Sequence, residues 1–163
     1  MSGLFATDEA RTNPEMAEAT VNDPHDLARF IEAQDADDTY GRALAELRRG
    51  RKTSHWMWFV FPQIAGLGTS PTAVRYAIAD AAEARAYLAH PVLGARLVEC
   101  SDALLGLPGT DPVAVLGDID ARKLQSSMTL FRSVGTDQPA FNFVLERYFG
   151  GRKDGATTAI LGR

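Results

Sequence analysis

The stretch DIDARKLQSSMTLFRSVGTDQPAFNFVLERYF, residues 118–149, decides the fold class. Its two halves repeat apolar residues at helical spacing, and the second half has the cleanest amphipathic pattern in the chain. The apolar positions are Leu124, Met128 and Phe131, then Phe141, Val144, Leu145, Tyr148 and Phe149. Between the halves, Gly135 to Pro139 contains residues that end helices. The stretch therefore predicts two consecutive helices, each burying one face.

Similar helical signals recur on both sides of this stretch. Ser70-Pro71 and Asp111-Pro112 each place a capping residue before a proline, which is favoured at the first position of a helix. Asp23-Pro24 has the same signature and is expected to open the folded part, while a helix from about Asp37 is expected to stop at Gly50. Further helices are expected from Asp80 to Leu88, from Leu93 to Leu104, and from Asp154 to Leu161. No repeat is visible, and no stretch of useful length alternates with period two as a strand would. We therefore predict an all-α fold, a compact single-domain bundle of about seven to nine helices.

Length and composition indicate one globular domain. The chain has 163 residues, of which 45% are hydrophobic and 23% charged, as is typical of a single folded unit. Residues 1–22 lack apolar periodicity and are expected to form a flexible N-terminal tail, with residues 23–163 as a single helical domain. The net charge of -4 gives no electrostatic reason to expect nucleic acid or a membrane surface as a partner. The sequence leaves the oligomeric state open.

The cysteine and histidine content argues against disulfides and metal. Cys100 is the single cysteine; it fits a reducing compartment, and its place on an apolar stripe predicts a buried, inert thiol. The three histidines are scattered, so neither a metal nor a cofactor is expected. The first residues lack the basic start and apolar run of a signal peptide, and the longest apolar run, Trp56 to Phe61, is too short to span a bilayer. We expect a cytoplasmic protein.

The segment SHWMWFVFPQ, residues 54–63, holds both tryptophans of the chain. They are two positions apart and cannot share a helical face, so one is expected in the core and the other in a cleft. Beside an exposed indole, His55 would be suited to transfer a proton near neutral pH. The alternative is a central core element with a structural His55. Periodicity does not separate strand from helix for Trp56 to Phe61; with helices on all sides, a helix is expected.

Two other segments carry polar groups that suit an anion. The loop GLGTSP, residues 66–71, runs into a helix N-terminus and offers backbone N–H groups and two hydroxyls; the alternative is a plain turn and cap. In KLQSSMT, residues 123–129, Lys123 lies one helical turn from Ser126 and Ser127 and could hold an anion or activate a hydroxyl. The alternative is that the small serines allow close helix packing.

These strings together carry a family resemblance. HWMWFVFPQ (55–63), GLG (66–68), His90-Pro91 and KLQSSMTLF (123–131) make the chain resemble a family of uncharacterised bacterial proteins that automatic annotation often labels calpastatin. The resemblance covers about Asp23 to the C-terminus and implies a compact helical fold. It implies no activity and no catalytic residues. The calpastatin label implies protease inhibition by long disordered repeats, which this repeat-free chain lacks.

Two functions from different classes follow from these observations. The first is binding or turnover of a phosphorylated small molecule, a nucleotide or an ADP-ribose-like compound, and it leaves open whether the protein is an enzyme. It assigns acid–base and charge-neutralising roles to His55 and Lys123 and requires the three segments to converge. The ligand-binding residues it predicts are Trp56, Trp58, Gln63, Gly68, Thr69, Ser70, Ser126 and Ser127. The second is a non-enzymatic protein-interaction module, which predicts a large exposed apolar patch.

Overall fold

The computed structural model describes residues 22–162, and these form an all-α single domain. The helices are α1 (Ala28–Asp35), α2 (Thr39–Arg49), α3 (Met57–Val60), α4 (Pro71–Arg75), α5 (Ala81–Ala89), α6 (Leu93–Leu105), α7 (Pro112–Leu116), α8 (Asp118–Val134), α9 (Ala140–Phe149) and α10 (Gly155–Leu161), with a 3-10 turn at Ala36–Asp38. Within residues 22–162, nine of these helices have five residues or more and α3 is a single turn. The predicted fold class is confirmed. The predicted N-terminal tail, up to residue 21, lies outside the described residues.

Helix α8 forms the centre of the bundle. It packs against α5, α7, α9 and α10, while α6 packs against α2, α5 and α9. Leu124, Met128 and Phe131 on α8 are completely buried, and the Phe131 ring contacts the rings of Tyr87 and Phe141. The stretch 118–149, whose pattern predicted two helices, therefore supplies the central helix and its closest neighbour.

The capping residues expected from the sequence cap their helices. Backbone N–H groups donate to Ser70 Oγ at 3.2 Å, Asp80 Oδ1 at 2.9 Å, Asp111 Oδ1 at 2.9 Å and Asp154 Oδ2 at 3.0 Å. Gly50 ends α2 with a left-handed φ of 80°. Each cap satisfies a backbone group that a helix end leaves unpaired. These boundaries depend on local chemistry alone, and the predictions for them are confirmed.

The starts of the first two helices differ from the prediction. Asp26 has a left-handed φ of 51°, so α1 begins at Ala28, with its first N–H groups donating to the Asp23 carboxylate. Asp37 and Asp38 are also left-handed, and α2 begins at Thr39. Asp tolerates this conformation better than most residues. At the first bend, the buried guanidinium of Arg29 donates to two carbonyl oxygens and holds the backbone there.

The segment predicted as helix from Trp56 to Phe61 is helical only at Met57–Val60. Beyond it, Ile64 and Ile78 form an isolated parallel bridge, with Ala65 N donating to Ile78 O and Ile78 N donating to Gln63 O, both at 2.8 Å. The helix that begins after Ser70 therefore stops at Arg75. The bridge closes the base of a loop, residues 65–77, that carries the Gly66–Pro71 segment.

Two further properties of the described residues concern the membrane and Cys100. None of the helices in this range combines the length and the apolar character that crossing a bilayer requires. Cys100 is fully buried on α6, and its burial raises the pKa of the thiol to about 12. A thiol with a raised pKa is a poor nucleophile at neutral pH, as expected from its place on the apolar stripe.

Candidate functional site

Three segments that the sequence singled out line one open pocket of about 450 Å³, here called the Trp58 pocket. Residues 54–63 contribute Trp58 and Gln63. The loop closed by the Ile64–Ile78 bridge contributes Leu67, Gly68, Thr69, Ser70 and Ala73, α8 contributes Ile119, Arg122, Lys123 and Ser126, and Asp154 and Ala156 come from the start of α10. The convergence that the small-molecule hypothesis requires is therefore present for most of its residues.

The two tryptophans have different environments. Trp56 is completely buried, and its Nε1 donates to Glu46 Oε1 at 3.0 Å. Trp58 is half-buried and lines the pocket. One indole therefore lies in the core and the other faces a cleft. Because the Trp56 ring has no exposed surface, only Trp58 is available to stack on a ligand.

A buried carboxylate holds the segment before Trp58 in place. Glu46 on α2 accepts hydrogen bonds from Thr53 N, Ser54 N, Ser54 Oγ and Trp56 Nε1, at 2.6 to 3.0 Å. Burial alone would raise the pKa of Glu46, but these hydrogen bonds stabilise the charged form and lower it from 4.5 to about 2. A single charged group therefore fixes the chain entering α3, and with it the position of Trp58.

Two lysines share one carboxylate beneath the pocket. The Asp120 carboxylate on α8 forms ion pairs with Lys52 Nζ at 2.9 Å and with Lys123 Nζ at 3.5 Å. The Lys123 ammonium lies 4.4 Å from the centre of the Trp58 ring, in the geometry of a cation–π contact. The three side chains are only 10% to 20% exposed, so solvent screens this cluster less than a surface pair. Two positive charges against one negative charge leave the lysines a net positive charge at the pocket wall.

The adjacent serines of α8 have different surroundings. Ser126 lines the pocket, and its Oγ lies 2.8 Å from Thr157 Oγ1 on α10. Ser127 is completely buried, its Oγ has no hydrogen-bond partner, and it does not line the pocket. Consecutive helical residues point about 100° apart, so one serine faces α10 and the pocket while the other faces the core. Of the predicted pair, Ser126 alone lines the pocket, where it is 2% exposed.

His55 does not join this arrangement. It is exposed and lies outside the lining of the Trp58 pocket. Within residues 22–162, no group of three or more His, Cys, Asp or Glu side chains is arranged to hold a metal ion.

Sequence reasoning also missed several residues of the pocket. Arg122, which lines the pocket, precedes Lys123 directly on α8, and its charge was the available signal. Asp120 does not line the pocket but pairs with Lys123. Asp154 was recognised only as a helix start, and its contact with α8 comes from tertiary packing.

A second concavity, here called the acidic groove, is wider and equally open. It measures about 900 Å³ and lies among α2, α5, α6 and the turn before α9. Its charged lining residues are one arginine, Arg48, and three carboxylates, Glu99, Asp102 and Asp137. None of the residues predicted for ligand binding lines it. Its surplus negative charge makes it unsuited to an anionic ligand.

Fold and pocket together define an all-α domain with an open pocket whose charged lining residues are Arg122, Lys123 and Asp154. Residues 24–161 match the model of the family described as "Protein of unknown function (DUF1810)", so the chain belongs to this family. The crystal structure of the conserved hypothetical protein Rv1873 from Mycobacterium tuberculosis is similar, at 47% identity and a TM-score of 0.83, with 86% of this chain and 99% of that chain covered. No curated protein matches the chain. The predicted resemblance to a family without established activity is confirmed.

Proposed function

We propose that the Trp58 pocket binds a phosphorylated small molecule with a flat group, such as a nucleotide or an ADP-ribose-like compound. The observation that carries the proposal is the pairing of Lys123 with Trp58, whose ammonium and ring centre are 4.4 Å apart on one pocket wall. An ammonium attracts phosphate, and an indole offers a flat apolar surface to a base. A ligand that combines both groups matches this wall better than one with either group alone.

The charge of the lining supports an anionic ligand. The charged lining residues are two cations, Arg122 and Lys123, and one carboxylate, Asp154, which accepts hydrogen bonds as the cap of α10. Arg122 also pairs with Asp118 outside the lining, at 3.2 Å. Asp120, which does not line the pocket, pairs with Lys52 as well as with Lys123. Its one negative charge is therefore shared, and it only partly neutralises the charge of Lys123. The protein as a whole carries a net charge of -4. A positive pocket on an acidic protein directs an anion to this place rather than to the rest of the surface.

The loop 65–77 adds uncharged hydrogen-bond donors to the pocket. Thr69 and Ser70 are exposed in the loop over the pocket. Ser70 Oγ accepts from Ala73 N, which leaves its own proton for a ligand oxygen. The Gln63 side chain can both donate and accept, as recognition of a base edge requires. These groups bind a ligand; because His55 lies outside the lining, the proposal covers binding and assigns no catalytic step.

The interaction-module alternative has less support. The large apolar side chains with substantial exposure within residues 22–162 are Val74, Val92, Val113, Ile119 and Phe143, which lie on five different segments. One of them, Ile119, belongs to the Trp58 pocket. Scattered apolar residues are normal on a protein surface and do not define a docking face.

A thermal-shift screen with nucleotides, ADP-ribose and sugar phosphates tests the proposal. A ligand at about 100 times its dissociation constant adds roughly 2.7 kcal/mol to the free energy of unfolding. We expect a hit whose affinity falls about tenfold to a hundredfold in Lys123→Ala, because the ammonium provides a charge-assisted contact. Lys123→Arg should retain most of the affinity.

Arg85→Ala is the matched control, since Arg85 is exposed on α5 and outside the pocket. It changes the net charge equally and should leave the affinity unchanged. If Arg85→Ala weakens binding as much as Lys123→Ala, the ligand responds to overall charge and the proposal fails. A screen without any hit in a folded protein would also reject it.

A further inference from the structure

Three side chains form a hydrogen-bonded chain at one end of the Trp58 pocket. Asp154 Oδ2 accepts from Thr157 Oγ1 at 2.6 Å and from Thr157 N at 3.0 Å. Thr157 Oγ1 in turn lies 2.8 Å from Ser126 Oγ. Thr157 is completely buried, Ser126 is 2% exposed, and both Asp154 and Ser126 contribute to the pocket lining. The chain therefore connects two lining residues through a group that solvent does not reach.

The chemistry of the three groups determines which one donates the proton in each hydrogen bond. A carboxylate only accepts hydrogen bonds, so the one hydroxyl proton of Thr157 goes to Asp154. Thr157 Oγ1 then has only lone pairs to offer to Ser126. The bond between the two hydroxyls must therefore use the proton of Ser126. With Thr157 buried, no water can supply a different arrangement at that hydroxyl.

As a result, Ser126 faces a ligand as an acceptor. Its proton is committed to Thr157, and its remaining lone pairs are the only hydrogen-bonding capacity it retains. The Oδ1 atom of Asp154, which takes neither bond from Thr157, is a second acceptor beside it. Two acceptors with a negative charge repel phosphate and attract a group that donates a proton. This corrects the simpler expectation that Ser126 assists Lys123 in holding an anion.

We infer that this end of the pocket binds the hydroxyl groups of a sugar, so that the ligand is a phosphorylated sugar with free hydroxyls. The inference rests on the proposed function and gives the ligand an orientation. Its phosphate lies at Arg122 and Lys123, and its hydroxyls donate to Ser126 and Asp154. Arg122 and Lys123 precede Ser126 by four and three residues on α8, which corresponds to about 5–6 Å between Cβ atoms. A sugar carrying its own phosphate bridges one helical turn.

A pair of ligands that differ only in hydroxyl groups tests the inference. Ribose 5-phosphate carries the hydroxyls, and tetrahydrofurfuryl phosphate has the same ring and phosphate without them. We expect calorimetry to give an affinity about tenfold higher for ribose 5-phosphate, because without a donor the Ser126 and Asp154 acceptors lose water and gain no partner. Both affinities should fall together in Lys123→Ala.

Variants at two positions, Ser126 and Thr157, identify the residues responsible for the difference in affinity between the two ligands. Ser126→Ala removes the acceptor and should bring the two affinities to within about threefold of each other, without weakening tetrahydrofurfuryl phosphate. Thr157→Val breaks the chain, frees the Ser126 proton and should reduce the discrimination, whereas Thr157→Ser keeps the hydroxyl and should preserve it. If Thr157→Val does not fold, Ser126→Ala and the wild-type ligand pair still decide.

The possible failures are distinguishable. Equal affinities of the wild-type protein for the two ligands would reject the hydroxyl site and leave the phosphate pocket standing. A difference that persists undiminished in Ser126→Ala would show that Ser126 takes no part in recognising the hydroxyls and would also reject it. No binding of either phosphate ester, nor of any ligand in the thermal-shift screen, would reject the proposed function and this inference with it.

Discussion

The acidic groove and the Trp58 pocket are both open concavities between helices, but different structures line them. The groove lies among α2, α5, α6 and the turn before α9, and its carboxylates are exposed. The pocket is walled by α8 on one side and by the loop 65–77 on the other, and its lysines sit on a partly buried carboxylate. The groove has twice the volume, yet the pocket has the more specific chemistry.

The comparison indicates that two properties of the lining residues, their chemistry and the contacts that hold them in place, decide how specific a cavity is. The volume of the cavity matters less. A charge on an exposed side chain is screened by water and salt, whereas a charge held in a partly buried cluster keeps its position and its field. The pocket also joins a flat aromatic surface to that charge. The following variants test whether the groove is a consequence of helix packing and the pocket a supported site.

The largest effect is expected in the groove wall. A Cβ atom added at Gly94 would lie 2.1 Å from the carbonyl oxygen of Leu88. Because backbone at the junction of α5 and α6 must then move, Gly94→Ala should lower the free energy of unfolding by about 3 kcal/mol. Urea denaturation measures the loss, and Gly109→Ala, where a Cβ meets nothing within 4 Å, is the control. A loss below about 1 kcal/mol would show that the groove is not set by this packing.

A smaller effect, which depends on pH, is expected at Glu46, the carboxylate that holds the segment before Trp58. The pKa of Glu46 in the folded protein is about 2, below its ordinary value of 4.5, so its contribution to stability is present above about pH 4.5 and is lost as the pH falls toward 2. The shift corresponds to at most about 3 kcal/mol. Glu46→Gln should therefore cost about 2 kcal/mol at pH 7 and much less at pH 2.5, by urea denaturation at both values.

An exposed carboxylate of the groove provides the control for Glu46. Asp102→Asn should change stability by less than about 0.5 kcal/mol at either pH. If Asp102→Asn shows the same pH dependence as Glu46→Gln, then the two regions do not differ in how their charges are supported.

The smallest effect is expected in the loop over the pocket. A Cβ atom at Gly68 would lie 2.6 Å from the Cβ of Ala73. The clash is with one methyl group near the exposed helix α4 rather than with core backbone, so Gly68→Ala should cost about 1–2 kcal/mol. The same variant should weaken any ligand of the pocket, because Gly68 and Ala73 both line it. A cost as large as that of Gly94→Ala would mean that this loop is as tightly packed as the groove wall.

Local signals in the sequence predicted most of the fold. Ser70, Asp80, Asp111 and Asp154 cap helices as expected, because a cap involves residues only two or three positions apart. The single turn at α3 could not be predicted in the same way. Its length depends on Glu46 before it and on the bridge to Ile78 after it, and both are tertiary contacts.

For the candidate site, the segments were easier to predict than the roles of single residues. Polar groups in apolar surroundings marked Trp58, Gln63 and Lys123, all of which line the pocket. The sequence did not say which tryptophan would be buried, nor which serine would face α10. Those choices depend on the rotation of each helix against its neighbours. The shared carboxylate was also out of reach, because Asp120 is three positions from Lys123 but 68 positions from Lys52.

The bridge between Ile64 and Ile78 has a consequence for how the family can diversify. Two backbone hydrogen bonds close the loop at its base, and Tyr76 within the loop packs against Phe30 and Phe59. The exposed residues 68–72 can therefore be exchanged while the helical bundle keeps its packing. The rest of the pocket is carried by α8, whose residues also form the core. Relatives are therefore expected to differ in the lining of the Trp58 pocket mainly at these exposed loop residues.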